Sequence, residues 1–262
     1  GLIEDISILS GELITDGSFS AEGPQLITNG DFSNGSTGWT EGTGWSVNNG
    51  KADFLNIASK GMYQAKVLEA GKNYKVSFDY DGTGQVGFLG DVGGGNLLKG
   101  FANYTNGNNV VYIAPTTTTS AFNVWGNWSG AFSIDNVSVV EVAADWELTQ
   151  ATIGDGEVAI TSNDGSYAGI KQTGVFDIGK TYFYSFNVTS IIGTGQMRAG
   201  TNGVDFTTNG LVSGYIVATS NQTLEIKRIG GNFNAIIDNI SVVEVTDATN
   251  IPRIDYTDGT AS

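Results

Sequence analysis

The stretch SIDNVSVVEV at residues 133–142 recurs as IIDNISVVEV at residues 236–245, about a hundred residues later in the chain. Each copy alternates apolar and polar residues, a pattern typical of a strand with one buried face. A repeat of this length exceeds the units of solenoids and propellers, which span about 20 to 50 residues. Each copy is therefore expected to bury a core of its own, and the chain is predicted to contain two similar domains.

Further matches at a constant spacing extend the repeat over whole domains. GKNY at residues 71–74 corresponds to GKTY at residues 179–182, and Gln64 corresponds to Gln172. A period of this size gives each copy enough residues for an independent core. The predicted division has four parts, namely an N-terminal segment (1–24), module one (25–142), module two (143–245) and a C-terminal tail (246–262).

The composition predicts an all-β chain. Glycine accounts for 38 of the 262 residues, proline for only 3, and cysteine is absent. Asn-Gly and Asp-Gly dipeptides, which tolerate the positive φ of tight hairpins, separate alternating runs such as those at 74–80 and 182–188. About eight strands per copy without helices predict two packed antiparallel sheets, a jelly-roll β-sandwich, in each module.

The charge and the residue types exclude several classes of function. The net charge is −15 and the 12 basic residues form no run, so a nucleic-acid partner is not expected. No apolar run reaches about 18 residues, so no membrane insertion is expected. Histidine is absent along with cysteine, which removes Ser-His-Asp triads and thiol nucleophiles. Nothing marks a pair of carboxylates for glycosidase chemistry, and the chain is predicted not to be an enzyme.

A second, shorter duplication lies at the N-terminus. ELITDGSF at residues 12–19 is repeated as QLITNGDF at residues 25–32. Module two has no such opening, because its start at Trp146 corresponds to the stretch at Trp39. A spare strand beside an incomplete sheet predicts strand complementation, within the chain or between subunits; a remnant of an upstream repeat is the alternative. The apolar residues of the added assembly strand would be Leu13, Ile14 and Phe19.

Several motifs of module one together resemble a known family. They are LITNGDF (26–32), GW (38–39), WSV (45–47), NGKA (49–52) and IDNVSV (134–139). This set resembles the carbohydrate-binding modules of the CBM4/9/22 (CenC-like) type over most of module one, and module two keeps part of it. The resemblance implies a jelly-roll sandwich and a structural calcium ion. Asp31 and Asp135 match the family's metal-associated acids, with local hydrogen bonding by these carboxylates as the alternative.

Sugar binding uses aromatic rings that stack on pyranose faces, with amide and carboxylate groups at the rim. In FNVWGNW at residues 122–128, alternation places Phe122 and Val124 toward the core, and Asn123 and Trp125 on the opposite face. Packing in the core or between modules is the alternative role of the two tryptophans in this run. The predicted carbohydrate-binding residues are Trp125, Trp128, Tyr104, Asn123 and Gln85.

The tail provides a second resemblance. TNIPRIDY at residues 249–256, followed by DGT at residues 258–260, resembles the linker before lectin-like domains in tail-fibre and other virion proteins of aquatic phages. Together the patterns predict a non-catalytic extracellular or virion-surface protein, a fibre, spike or filament subunit that self-associates and contacts polysaccharide. The alternative is a glycan-binding module pair of a secreted polysaccharide-degrading enzyme.

Overall fold

The structure is a computed structural model of the 262-residue chain and describes residues 8–220 and 222–246. The predicted C-terminal tail, apart from Thr246, lies outside the described residues. Within the described ranges every helix or strand element is a β-strand, so the prediction of an all-β chain is confirmed. None of the described residues belongs to a helix long and apolar enough to cross a membrane.

Twenty strands lie in the described ranges. The first ten are β1 (Ile8–Glu12), β2 (Trp45–Asn48), β3 (Lys51–Phe54), β4 (Lys60–Gln64), β5 (Asn73–Gly82), β6 (Val86–Leu89), β7 (Leu97–Ala102), β8 (Gly107–Ile113), β9 (Phe122–Gly126) and β10 (Phe132–Val142). The other ten are β11 (Glu147–Thr149), β12 (Ala151–Gly154), β13 (Glu157–Ser162), β14 (Gly169–Gln172), β15 (Thr181–Ile192), β16 (Gly195–Ala199), β17 (Asn202–Phe206), β18 (Gly210–Val217), β19 (Leu224–Arg228) and β20 (Phe233–Thr246).

The strands form four sheets, two for each copy of the repeat. The first copy contains the orders β2-β3-β10-β5-β8 and β4-β9-β6-β7. The second contains β12-β13-β20-β15-β18, with β1 added beside β20, and β11-β14-β19-β16-β17. Antiparallel neighbours that are distant in sequence, such as β5 and β10, are typical of a jelly roll. The prediction of two jelly-roll sandwiches with an extra N-terminal strand is confirmed.

Alternation along the central strands creates the cores. β5 buries every second residue from Tyr74 to Tyr80, and β15 does the same from Tyr182 to Val188. In module one the rings of Phe54 and Phe132 lie 5.1 Å apart within the buried apolar core of that module. Burial of these aromatic side chains is the main favourable contribution to the stability of each sandwich.

The N-terminal segment completes module two within the same chain. β1 pairs with β20, and Leu13 N then donates to Val242 O at 2.9 Å. In module one, Leu26 N donates to Val139 O at the same 2.9 Å. The structure therefore contains the intramolecular form of strand complementation. Of the three predicted assembly residues, Ile14 and Phe19 are buried and Leu13 is partly exposed.

The residues that follow β1 make nearly the same contacts in module two as the equivalent residues make in module one. The Gln172 amide exchanges two hydrogen bonds of 2.9 Å with the backbone of Thr15, as the Gln64 amide does with Thr28 at 3.2 and 2.5 Å. A ring pair follows in each copy, with centroids 5.2 Å apart for Phe19 and Trp146, and 5.4 Å apart for Phe32 and Trp39. The opening motif that module two lacks in sequence is thus supplied from upstream of module one.

The compact units of the structure differ from the repeat boundaries. One unit contains residues 8–17 and 161–246, and the other contains Ser18–Ile160. The predicted N-terminal segment is divided, because residues 12–17 bond to Gln172 and β20, whereas Ser18 and the following residues belong to the other unit. The predicted module borders at residues 25 and 143 stay predictions.

Candidate functional site

The candidate site lies on the outer face of the sheet β4-β9-β6-β7 in module one. Phe122 and Val124 of β9 are buried in the core, so Asn123 and Trp125 take the opposite face, in line with the alternation. Cross-strand pairing places Trp125 between the glycines of β4 and β6. The face defined by Tyr63, Phe101 and Trp125, with Gly61 and Gly87 between them, is called the aromatic face below.

Glycine residues leave room for the indole ring of Trp125. A Cβ atom at Gly61 would lie 2.6 Å from the indole Cε3, and one at Gly94 would lie 2.3 Å from Cζ3. Gly94 has φ of 88°, a left-handed conformation that favours glycine. The indole Nε1 donates to Ser59 Oγ at 3.2 Å. The half-buried ring is therefore held in one orientation while part of it stays exposed.

Two further aromatic residues share this face, and the sequence analysis missed both. Phe101 of β7 is 37% exposed, and its ring carbons lie 3.0 Å from the position of a Cβ on Gly87. Tyr63 of β4 is half-buried and pairs with Asn123. Small residues that lie opposite aromatic residues on neighbouring strands indicate such a face, but these pairs can be identified only when the strand register is known.

An amide pair closes one end of the aromatic face. Asn127 Nδ2 donates to Gln85 Oε1 at 2.9 Å, and Gln85 N donates to Ser129 Oγ at 2.6 Å. Asn127 lies two residues after Trp125, just beyond β9, and Gln85 lies two residues before Gly87, just ahead of β6, so alternation brings both amides to the same side. The next residue, Trp128, is 68% exposed rather than packed in a core. Amides and exposed rings at one edge provide hydrogen bonds and apolar surface together.

Two predicted sugar contacts do not project from this face. Asn123 is 1% exposed, its Nδ2 donates to Asp91 O at 2.8 Å, and its Oδ1 is buried without a hydrogen-bond partner in the described part of the chain. The Tyr104 ring lies 5.0 Å from that of Phe78 in the core, where burial raises the pKa of its hydroxyl. The structure therefore brings Trp125, Trp128 and Gln85 to the site and places Tyr104 apart from it.

The predicted calcium ligands engage in local hydrogen bonds. Asp31 Oδ1 accepts from Ser33 N at 3.3 Å, and Asp135 Oδ1 accepts from Asn136 N at 2.6 Å. Among residues 8–220 and 222–246, no three acidic side chains are grouped to hold a metal ion. Calcium takes about six to eight oxygen ligands, so backbone carbonyls would have to supply most of the shell. The calcium site stays a prediction, and nothing proposed below depends on it.

Comparison with known proteins leaves the family open. No protein-family model and no curated protein matches the sequence. The tandem CBM22-1–CBM22-2 domain of Paenibacillus barcinonensis Xyn10C is 12% identical, over 87% of this chain and 99% of that chain, with a TM-score of 0.31. A Paenibacillus xanthan lyase is 12% identical, over 79% of this chain and 24% of that chain, with a TM-score of 0.26. Similarities at this level assign no function, which is therefore argued from the site.

Proposed function

We propose that the protein is a non-catalytic, polysaccharide-binding adhesion protein whose binding surface is the aromatic face of module one. The observation that carries this proposal is the position of Trp125 on the outer face of the sheet. Its half-buried indole packs against glycine residues and is oriented by a hydrogen bond to Ser59. Phe101 extends the apolar surface, and the amides of Gln85 and Asn127 provide hydrogen-bonding groups at its end. Flat rings flanked by amides suit the apolar faces and hydroxyls of pyranoses.

The charge of the chain favours polysaccharide over other extended polymers. A net charge of −15 repels nucleic acid. The aromatic face lies along a sheet and is bounded by exposed apolar side chains such as Leu97 and Trp128, rather than forming a deep enclosed pocket for a small molecule. Contiguous exposed apolar surface of this kind marks an interaction site on a soluble domain.

The setting we propose is extracellular or the surface of a virion, with the protein acting in a fibre or spike. Support comes from the sequence, because the opening motif at 26–32 and the tail at 249–256 resemble segments of such proteins. Adhesion needs binding without turnover, which suits a chain without histidine or cysteine. The glycan-binding pair of a secreted degrading enzyme remains the second candidate and uses the same face.

The test is affinity electrophoresis through gels that contain a panel of neutral polysaccharides. We expect at least one polymer to retard the chain, and Trp125→Ala to weaken that retention by a factor of about ten or more, about 1.4 kcal/mol. Tyr215→Ala, which removes an exposed aromatic ring of module two, is the matched control and should leave retention unchanged. Equal retention of the wild type and Trp125→Ala would overturn the proposal.

We also propose that the opening segment of module two can be exchanged between two copies of the chain. Residues 12–19 precede module one, although they complete a sheet formed by residues far downstream, so a second copy offers the same binding site. The buried side chains of Ile14 and Phe19 would then insert into the partner. Light scattering should detect concentration-dependent dimers, and these should disappear on deletion of residues 1–24. A mass that stays monomeric at every concentration would exclude exchange.

A further inference from the structure

The outer face of the sheet β11-β14-β19-β16-β17 is the module-two equivalent of the aromatic face. Strands β19 and β9 correspond, because each is paired at the same register with the strand that ends in the repeated glutamine, Gln172 or Gln64. In this sheet charged residues occupy positions where module one has two aromatic residues, an amide and a leucine. The equivalent pairs are Trp125 and Lys227, Asn123 and Glu225, Tyr63 and Lys171, and Leu89 and Arg198.

The charged side chains converge on one carboxylate. Glu225 lies opposite Lys171 on one neighbouring strand and opposite Arg198 on the other. Its Oε1 accepts from the Tyr167 hydroxyl at 2.7 Å, and its Oε2 lies 3.4 Å from Lys227 Nζ and 3.7 Å from Arg198 Nη1. Both oxygens of this carboxylate are therefore engaged. Beside it lies a cleft of about 220 Å³, lined by Lys171, Gly200, Thr223 and Glu225.

Positive charge is concentrated here in an acidic protein. On the outer face, strands β14, β16 and β19 carry three of the 12 basic residues of the chain, Lys171, Arg198 and Lys227, and one of its 27 acidic residues, Glu225. The neighbouring Asp205 on β17 accepts from Gln196 at 2.7 Å. Since charges are screened over about 8 Å at physiological salt, an anion at this face experiences mainly the local cations rather than the net charge of the chain.

The fold does not require these charges. Module one builds the same sheet with uncharged residues at all four equivalent positions. The ion pairs of Glu225 join side chains that are only 20–25% exposed, and such pairs are weak evidence for stability because the cost of desolvation offsets their attraction. A binding role explains the cluster.

We propose that the charged cluster of Lys171, Arg198 and Lys227 binds the carboxylate of a uronate, an acidic sugar residue within a polysaccharide. A guanidinium group pairs with a carboxylate through parallel hydrogen bonds, and a lysine adds a second cation. The cleft has room for about seven water volumes of roughly 30 Å³ each, the scale of one sugar ring. The ring of Tyr167, which is 42% exposed and bonded through its hydroxyl to Glu225, provides apolar surface beside the cluster. This site is separate from the aromatic face and does not depend on the function proposed for it.

The test is isothermal titration calorimetry of the full chain with a galacturonate hexamer and a neutral hexamer of glucose, at about 0.15 M salt. We expect the galacturonate oligomer to bind, with affinity falling as salt rises. Arg198→Gln and Lys171→Gln should each weaken this binding about tenfold or more. Lys75→Gln, which removes a lysine of module one bonded to Glu22, is the charge-matched control and should change nothing.

Trp125→Ala separates this proposal from the one for the aromatic face, because it should weaken retention by neutral polysaccharide about tenfold or more and leave galacturonate binding intact. The proposal fails if the wild-type chain shows no binding of the galacturonate oligomer. It fails equally if Arg198→Gln and Lys171→Gln, with unchanged melting temperatures, both bind as the wild type does. A destabilised Arg198→Gln does not affect the test, since Lys171→Gln lies on a different strand and gives an independent result.

Discussion

The carboxylate of Glu12 ties the N-terminal segment to the sheet of module two. Its Oε1 accepts from Ile14 N at 2.9 Å and from Val242 N at 2.8 Å, and its Oε2 accepts from Ser241 Oγ at 2.5 Å. Glu12→Ala removes every one of these acceptors. Leaving a buried donor unpaired costs about 1–3 kcal/mol, so the two partly buried N–H groups together predict a loss of about 2–6 kcal/mol from module two.

Module one shows which substitution should be tolerated. The equivalent residue there is Gln25, whose Oε1 accepts from Ile27 N at 3.0 Å and from Val139 N at 2.9 Å, and whose Nε2 donates to Ser138 Oγ at 2.6 Å. A glutamine therefore satisfies the same three partners. Glu12→Gln is expected to change the free energy of unfolding of module two by less than about 1 kcal/mol, in the range of a surface substitution.

Native-state hydrogen exchange measures this effect separately in each module. The amide of Val242 should exchange faster in Glu12→Ala by a factor that corresponds to the lost free energy, while the amide of Val139 in module one should be unaffected. Glu12→Gln should show near wild-type protection at both amides. If Glu12→Ala leaves Val242 as protected as in the wild type, the N-terminal segment does not complete module two. Equal losses in the alanine and glutamine variants would show that charge, and not acceptor geometry, holds the segment.

Three further predictions concern module one. Gly30→Ala should prevent module one from folding, because the new Cβ would lie 1.9 Å from a carbonyl oxygen of β10. The control is Gly11→Ala, whose Cβ has no atom within 4 Å and which should be tolerated. Circular dichroism distinguishes a folded from an unfolded variant. Burial raises the pKa of the Tyr80 hydroxyl. Its neutral form therefore contributes stability that is complete below about pH 10 and is lost as the pH rises through the higher pKa of the folded state. The midpoint of urea unfolding should be lower at pH 11 than at pH 8, and this decrease should be smaller for Tyr80→Phe than for the wild type. Gly94→Ala should displace the indole of Trp125 and weaken retention by polysaccharide without a large change in melting temperature.

Much of the fold could be predicted from local pattern. Period-two alternation identified the central strands, and the internal repeat fixed the number of sandwiches. The dipeptides Asn49-Gly50 and Asp155-Gly156 form two-residue hairpins with positive φ at both positions, as turn chemistry requires. The partner of the N-terminal strand could not be predicted, because pairing within the chain and pairing between subunits use the same contacts. The structure contains the first, through Leu13, Gln172 and β20.

The candidate site was predictable only in part. Alternation placed Trp125 on the outer face, but it placed Asn123 there too, and the backbone after β6 covers that amide through Asp91 O. The sequence around Tyr104 does not indicate that its ring packs against the core, since a lone aromatic residue in a polar stretch is compatible with both core packing and sugar binding. Phe101 could not be recognised because its place depends on Gly87, which lies opposite it only after the strands have paired. The strand register and the covering of Asn123 by the following loop are set by tertiary structure, so the local sequence pattern does not predict them.

The most direct test of the central claim is to follow the indole N–H signals of the five tryptophans by NMR during titration with a polysaccharide fragment that retards the protein. The buried side chains of Trp39 and Trp45 donate their indole N–H groups to backbone carbonyls and serve as internal references. We predict that the signal of Trp125, assigned from its absence in Trp125→Phe, shifts with saturation while those of Trp39 and Trp45 do not. A saturable shift elsewhere in the chain with the Trp125 signal unmoved would contradict the account.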